Sequence, residues 1–276
     1  MDKFPRIVPP GTVLGNLRPA LAGDLGLARA KVIAPACHDT GSAVAGIPFP
    51  HDNLAFISSG TWSLVGTVLP SPLISERGFH FNMTNEGGAG GTIRYLRNVI
   101  GLWLFQEALR EWNGQGLELS AAQLAEQCEG ISLEGPFFRV DDEKAFLTPG
   151  GMLARINAAL ELQGFAGEAR PRELAGIIFR SLARRYAEVI EGIRTCTGKH
   201  LERLCIVGGG VRNEALNVLA GQATGLEVVK GSSEATLIGN VAVQIAALEN
   251  TRSLEEIQAV ASRLTYQQES QSNNQA

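Results

Sequence analysis

Strand and helix signals alternate near the C-terminal end of the chain, and this alternation restricts the fold class more than any other feature. Leu201–Val207 is an apolar strand run that ends in Gly208-Gly209-Gly210, and Val211–Thr224 has helical character. Leu226–Lys230 reads as a further strand and Glu234–Leu248 as a further helix, with one more helix at Leu254–Ser262. Strands that alternate with helices define an α/β domain.

Upstream elements fit the same class. Lys31-Val32-Ile33-Ala34 is a short buried-strand candidate that leads into Cys37-His38-Asp39, and the small residues 41–45 suit a tightly packed helix. Leu54–Ser58 and Trp62–Leu69 form a hairpin across the Ser59-Gly60-Thr61 turn. Ile100, Trp103, Leu104 and Ala108 recur at helical spacing, which predicts a helix over 97–112 closed by Gly114. Pro171–Cys196 predicts a long amphipathic helix with a basic, solvated outer face. Residues 1–29, rich in Pro and Gly, read as a connector with a helical suggestion at Leu21–Leu27. Residues 30–266 read as the α/β domain, and the polar tail 267–276 as disordered.

Composition narrows the function. A chain of 276 residues with 45% apolar and 19% charged side chains can fill a substantial core. A formal net charge of −4 without a Lys/Arg cluster argues against a nucleic-acid partner. The first six residues lack an apolar signal core, and no apolar run reaches the ~18 residues of a membrane span. No membrane partner and a cytoplasmic location are therefore expected. Cys37, Cys128, Cys196 and Cys205 lie far apart and read as reduced, mostly buried thiols.

Two short segments carry chemistry. Asp39, at a strand-to-helix junction, is a carboxylate able to take a proton from an alcohol, and the Ser59-Gly60-Thr61 turn offers N–H groups and a hydroxyl to phosphate oxygens. Each has a plainer reading: Asp39 as the cap of the helix that follows, the turn as an ordinary hairpin loop, and residues 87–91 as a flexible glycine connection. Other patterns fail on inspection. Gly208-Gly209-Gly210 lacks the third glycine of a dinucleotide site, because Asn213 stands there. Gly192–His200 has one residue too many for a phosphate loop and His200 in place of Ser or Thr. Cys196, His200 and Cys205 lack a fourth zinc ligand.

Taken in order, Thr12-Val13-Leu14-Gly15, His38-Asp39-Thr40, Ser59-Gly60-Thr61-Trp62, Thr84-Asn85-Glu86-Gly87-Gly88, the 94–106 segment, Gly208-Gly209-Gly210 and Gly239-Asn240 resemble the FGGY family of sugar kinases, in particular its rhamnulokinase group. The resemblance implies an actin-like ATPase (ribonuclease H-like) fold, the C-terminal domain of such a kinase. It implies transfer of the ATP γ-phosphate to a ketose hydroxyl, with Mg2+: L-rhamnulose to L-rhamnulose 1-phosphate in L-rhamnose catabolism, with xylulose and fuculose as alternatives. It makes Asp39 the general base, His38, Thr40 and Asn98 sugar contacts, and Thr61, Gln106, Gly209, Asn213 and Asn240 ATP contacts. No metal ligand is assigned to this chain. One departure is large: the resemblance implies a preceding N-terminal domain with a first phosphate loop, and Gly23-Asp24-Leu25-Gly26-Leu27 is not that loop, because Leu27 stands where a hydroxyl is needed. An N-terminal kinase half is thus the expected partner, beside the sugar and ATP, and the face that meets it is expected to be apolar. The alternative is a nucleotide-binding or assembly module without catalysis.

Overall fold

A computed structural model of the chain describes residues 3–165 and 169–273. Its elements in order are β1 (Thr12–Asn16), α1 (Pro19–Asp24), β2 (Lys31–Ala34), α2 (Asp39–Ala45), β3 (Leu54–Ser59), β4 (Trp62–Leu69), α3 (Glu76–His80), β5 (Thr84–Gly87), β6 (Ile93–Ile100) and α4 (Trp103–Gly114). There follow α5 (Ala121–Glu126), α6 (Glu143–Phe146), α7 (Met152–Glu161), α8 (Pro171–Thr197), β7 (Arg203–Val207), α9 (Glu214–Thr224), β8 (Glu227–Lys230), α10 (Ala235–Leu248) and α11 (Leu254–Asn273).

Six strands form one sheet in the order β5-β6-β4-β3-β7-β8, with β3, β7 and β8 parallel and the β3-β4-β6-β5 part antiparallel. Side chains alternate between its faces. Ala55 and Ile57 of β3 join Tyr95 and Val99 of β6 in the core under α8, α9 and α4, whereas Leu54, Phe56 and Leu96 meet Ala43 and Val44 of α2 and Ala235 of α10. Helices therefore cover both faces. On the second face α2 and α10 touch backbone to backbone: a Cβ on Gly46 would stand 2.3 Å from the Ala235 carbonyl oxygen. That approach sets where the N-terminus of α2, and Asp39 with it, projects beyond the sheet.

Several expectations are corrected. Residues 93–100 are a strand, and the helix begins only at Trp103. Ile93, Tyr95, Val99 and Ile100 are β-branched or aromatic residues that pair along all of β4, and this tertiary pairing overrides the helical spacing. The glycine stretch 87–91 is an ordered β5–β6 connection, with Gly90 at φ +67° pressed against Leu254. The outer face of α8 is largely covered rather than solvated. Arg180 donates to the Ser132 and Pro136 carbonyls, Arg184 to Leu133, and Arg185 pairs with Asp141. A 3-10 turn occupies Gly209–Arg212, so the next helix starts at Glu214 rather than Val211. Within the 1–29 segment, β1 pairs with β2 in a separate two-stranded sheet. Val13, Leu14, Leu21, Leu25, Leu27 and Val32 of this unit are exposed. The backbone of α11 is helical through Asn273, past the expected stop at Ser262, in keeping with the helix-forming Gln and Glu residues of the tail. Residues 274–276 of that tail lie outside the described residues.

Lys199 ties the loop before β3 to the sheet, its Nζ donating to the His51 and Val68 carbonyls and to Thr67 Oγ1. His51 is buried beside it, and neither ring nitrogen has a hydrogen-bond partner. Burial, and then the Lys199 charge, push its pKa down from 6.5 to about 4. The folded chain thus binds this proton only near pH 4, whereas the unfolded chain binds it near 6.5. Stability from this site is intact above the unfolded value and is lost as pH falls toward the folded one, by ~2 kcal/mol between about pH 7 and about pH 5. Urea denaturation at the two pH values should show this loss, and His51→Leu should flatten it. An unchanged slope in the variant assigns the acid sensitivity elsewhere.

Candidate functional site

The C-terminal ends of β3 and β7, the start of β4 and the N-terminus of α2 surround an open cleft of about 610 Å³. His38, Asp39 and Thr40 come from the β2–α2 junction, and Ser58 to Trp62 from the end of β3 and its turn. Asn98 and Glu86 come from β6 and β5, Gly208 and Gly209 from the end of β7, and Ser233, Glu234 and Thr236 from the start of α10.

His38 is the N-cap of α2, and Asp39 is its first residue. The capping reading of Asp39 is thereby corrected in detail, although its Oδ1 does accept the Thr40 N–H at 2.6 Å. Thr40 Oγ1 lies 3.3 Å and His38 Nδ1 3.0 Å from that same oxygen. These contacts all fall on Oδ1, which leaves Oδ2 for a ligand. The side chain is 78% exposed, so the carboxylate stands open toward whatever closes the cleft. Its place in the first turn also puts its charge at the positive end of α2.

Thr61 sits at the tip of the β3–β4 turn, its hydroxyl donating to Gln106 Oε1 of α4 at 3.3 Å. The two residues lie forty-five positions apart along the chain, and the β3–β4–β6 pairing brings them together. Gly208 and Gly210 have no space for a side chain: a Cβ would stand 2.8 Å from the Ser59 carbonyl oxygen in the first case and 1.9 Å from Ser59 Oγ in the second. Gly209 is different, because a Cβ there would meet nothing within 4 Å. Its backbone faces the open cleft. A bare surface of this kind beside a hydroxyl turn fits a nucleotide and its phosphates.

The cleft does not take in every residue read from the sequence. Asn213 is buried, and its Oδ1 caps α9 by accepting from Leu216 N at 3.0 Å. Asn240 accepts from Gln244 Nε2 one turn along α10, and neither it nor Gln106 lines the cleft, Gln106 being joined to it only through Thr61. Conversely, Glu234, Ser233 and Thr236 line it although no sequence motif marks them, and Glu86 lines it although the 84–88 motif is assigned no site role. Only strand pairing and the α2–α10 contact, seen in the Thr236 Oγ1 bond to the Asp39 carbonyl, bring them there. Among the described residues, no group of three or more His, Cys, Asp or Glu side chains could hold a metal ion, and no helix is long and apolar enough to cross a membrane.

A carboxylate at a helix start, a hydroxyl-bearing hairpin turn and a glycine turn after a parallel strand are gathered at one sheet end, and the fold is that of an actin-like ATPase domain. The C-terminal domain of the FGGY family of carbohydrate kinases matches residues 55–248, and the chain belongs to that family. It is 39% identical to a rhamnulokinase of Oceanobacillus iheyensis over 94% of its own length and 54% of that protein's. With a rhamnulokinase of Bacteroides thetaiotaomicron the identity is again 39%, over 88% and 49%. Among solved structures, a gluconate kinase of Lactobacillus acidophilus superposes with a TM-score of 0.67 at 14% identity, covering 93% of this chain and 51% of that one. A xylulose kinase of the same organism gives 0.66 at 15% identity, again over 93% and 51%. The chain spans about half the length of the curated relatives it matches.

Proposed function

We propose that this chain supplies the catalytic-base and nucleotide-side half of an ATP-dependent ketose kinase, with L-rhamnulose as the acceptor. The observation that carries the reading is the convergence of Asp39, Thr61 and Gly209 on one cleft. Asp39 Oδ2 takes the proton of the sugar's 1-hydroxyl as that oxygen attacks the γ-phosphorus of ATP; the bond from that phosphorus to the β–γ bridging oxygen breaks, and ADP leaves. His38, Thr40 and Asn98 orient the sugar, and Thr61 with Gln106 and Gly209 hold the nucleotide. Asn213 and Asn240 act through the fold, as a helix cap and as part of α10. Mg2+ bound with the nucleotide would supply neutralisation of the phosphate charge, and no residue of this chain is assigned to hold it. A segment carrying the first phosphate loop, on the same polypeptide or on a partner, closes the cleft, excludes water and aligns the reactants.

Calorimetric titration with ATP tests the nucleotide side directly. Heats consistent with weak binding are expected for the unaltered chain. Gly209→Asp, which puts bulk and negative charge on the open glycine surface, should weaken binding ~10-fold or more. Equal heats for the two proteins refute the assignment of this turn to ATP. Running D-xylulose and L-fuculose beside L-rhamnulose in the complemented turnover assay tests the choice of sugar.

A further inference from the structure

Glu86 is a cleft carboxylate that takes no part in the roles assigned above. It stands on the edge strand β5 opposite Arg94 of β6, on the sheet face that Asn98 shares. Its side chain is 26% exposed, whereas that of Arg94 is 3% exposed. Arg94 Nη1 lies 3.0 Å from Glu86 Oε2, while Nε and Nη2 both donate to the Gly87 carbonyl, at 3.2 and 3.1 Å. One planar guanidinium thus pairs with the carboxylate by charge and hydrogen-bonds the backbone next to it.

The pair also reaches the catalytic helix. A Cβ on Gly41 would lie 3.4 Å from Arg94 Nη2, so α2 is packed on the guanidinium with only glycine between them. Burial disfavours the Arg94 charge, and the carboxylates of Glu86 and, less strongly, Asp39 sustain it. Thr84 Oγ1 lies 3.3 Å from Glu86 Oε1 but 3.2 Å from the Leu96 carbonyl, and its single proton serves only one of them. Oε1 therefore keeps acceptor capacity toward the cleft.

We propose that Glu86 binds hydroxyl groups of the acceptor sugar, with Arg94 as the positioning residue that holds its carboxylate in place. This rests on the reading of the cleft as a ketose site. A carboxylate already neutralised by a buried guanidinium is a poor neighbour for phosphate oxygens and a good acceptor for hydroxyl donors. Its fixed geometry spares the cost of ordering it at binding, which is what selects among sugars differing in hydroxyl configuration. A strand-anchoring role alone would require neither exposure to the cleft nor an oxygen with acceptor capacity to spare.

The test is a ligand-observed NMR titration of the 276-residue chain with L-rhamnulose, for the unaltered protein and for Glu86→Gln and Glu86→Asp. Melting temperature and ATP heats are recorded on each. Glu86→Gln keeps size and one acceptor, and Glu86→Asp keeps charge but retracts it. Both should weaken ketose binding ~10-fold or more while ATP heats stay the same. Ketose binding within about twofold of the unaltered chain in Glu86→Gln overturns the inference. So does a joint loss of ketose binding, ATP binding and thermal stability, which marks a structural role, and so does an unaltered chain that binds no ketose. Absent ATP heats in the unaltered chain instead count against the kinase reading, and the ketose titration still reports on Glu86.

Discussion

Asp39→Asn should lower turnover by ~10²-fold or more once an N-terminal kinase half is supplied together with L-rhamnulose, ATP and magnesium. The expectation follows from where the hydrogen bonds of Asp39 go. Both of those from Thr40 fall on Oδ1, so the amide of Asn can keep an acceptor there while the cleft loses its proton-accepting oxygen. The helix loses little. Its N-cap is His38, and Asp39 contributes only a first-turn charge worth ~0.3–1 kcal/mol. Melting temperature should therefore fall by no more than ~1–3 °C. A variant that retains turnover and loses stability would show that the carboxylate serves the helix and not the reaction.

Gly239→Ala should have the largest effect on stability. A Cβ at this position would lie 1.9 Å from the Ser42 carbonyl oxygen and 2.5 Å from Gly46 N, backbone atoms of α2 and of its C-cap that have nowhere to go. Relief requires the two helices to separate, which breaks the small-residue contact of Ala43 and Ala45 with the α10 face. A cost of ~3 kcal/mol or more is expected, or a melting temperature lower by ~6–12 °C. Because α2 carries Asp39, the same displacement should disturb the cleft. Gly209→Ala is the control: its Cβ meets nothing within 4 Å, and the melting temperature should stay within ~1 °C. Equal melting curves for Gly239→Ala and the unaltered chain would mean that the two helices do not pack at this distance.

The stretches that could be read from sequence are those whose local chemistry and final surroundings agree. Leu201–Val207 with its glycines announced β7 and the turn after it, because an apolar run stopped by glycine has few other uses. His38-Asp39-Thr40 announced a helix start with a carboxylate, and residues 54–69 announced a hairpin with a hydroxyl at its tip. Residues 93–100 could not be read in this way. Their periodicity runs on into the helix at Trp103, and only pairing with β4 on one side and β5 on the other makes them a strand. The outer face of α8 likewise looks solvated until the segment 132–141 lies over its arginines.

Residue chemistry by itself determined the α/β class, the carboxylate at the helix start and the hydroxyl-bearing turn suited to phosphate, since each depends on neighbours within a few positions along the chain. Tertiary structure alone decided which of these share a cleft. Asn213 and Glu86 show why. Asn213 is an ATP contact by family resemblance, yet its side chain turns inward to cap α9. Glu86 sits in an ordinary short strand, yet antiparallel register sets it against Arg94 and at the cleft. Register and helix-to-helix distance are long-range quantities, fixed by how sheet and helices pack, and a one-residue slip in strand register would send the same side chains to the opposite face.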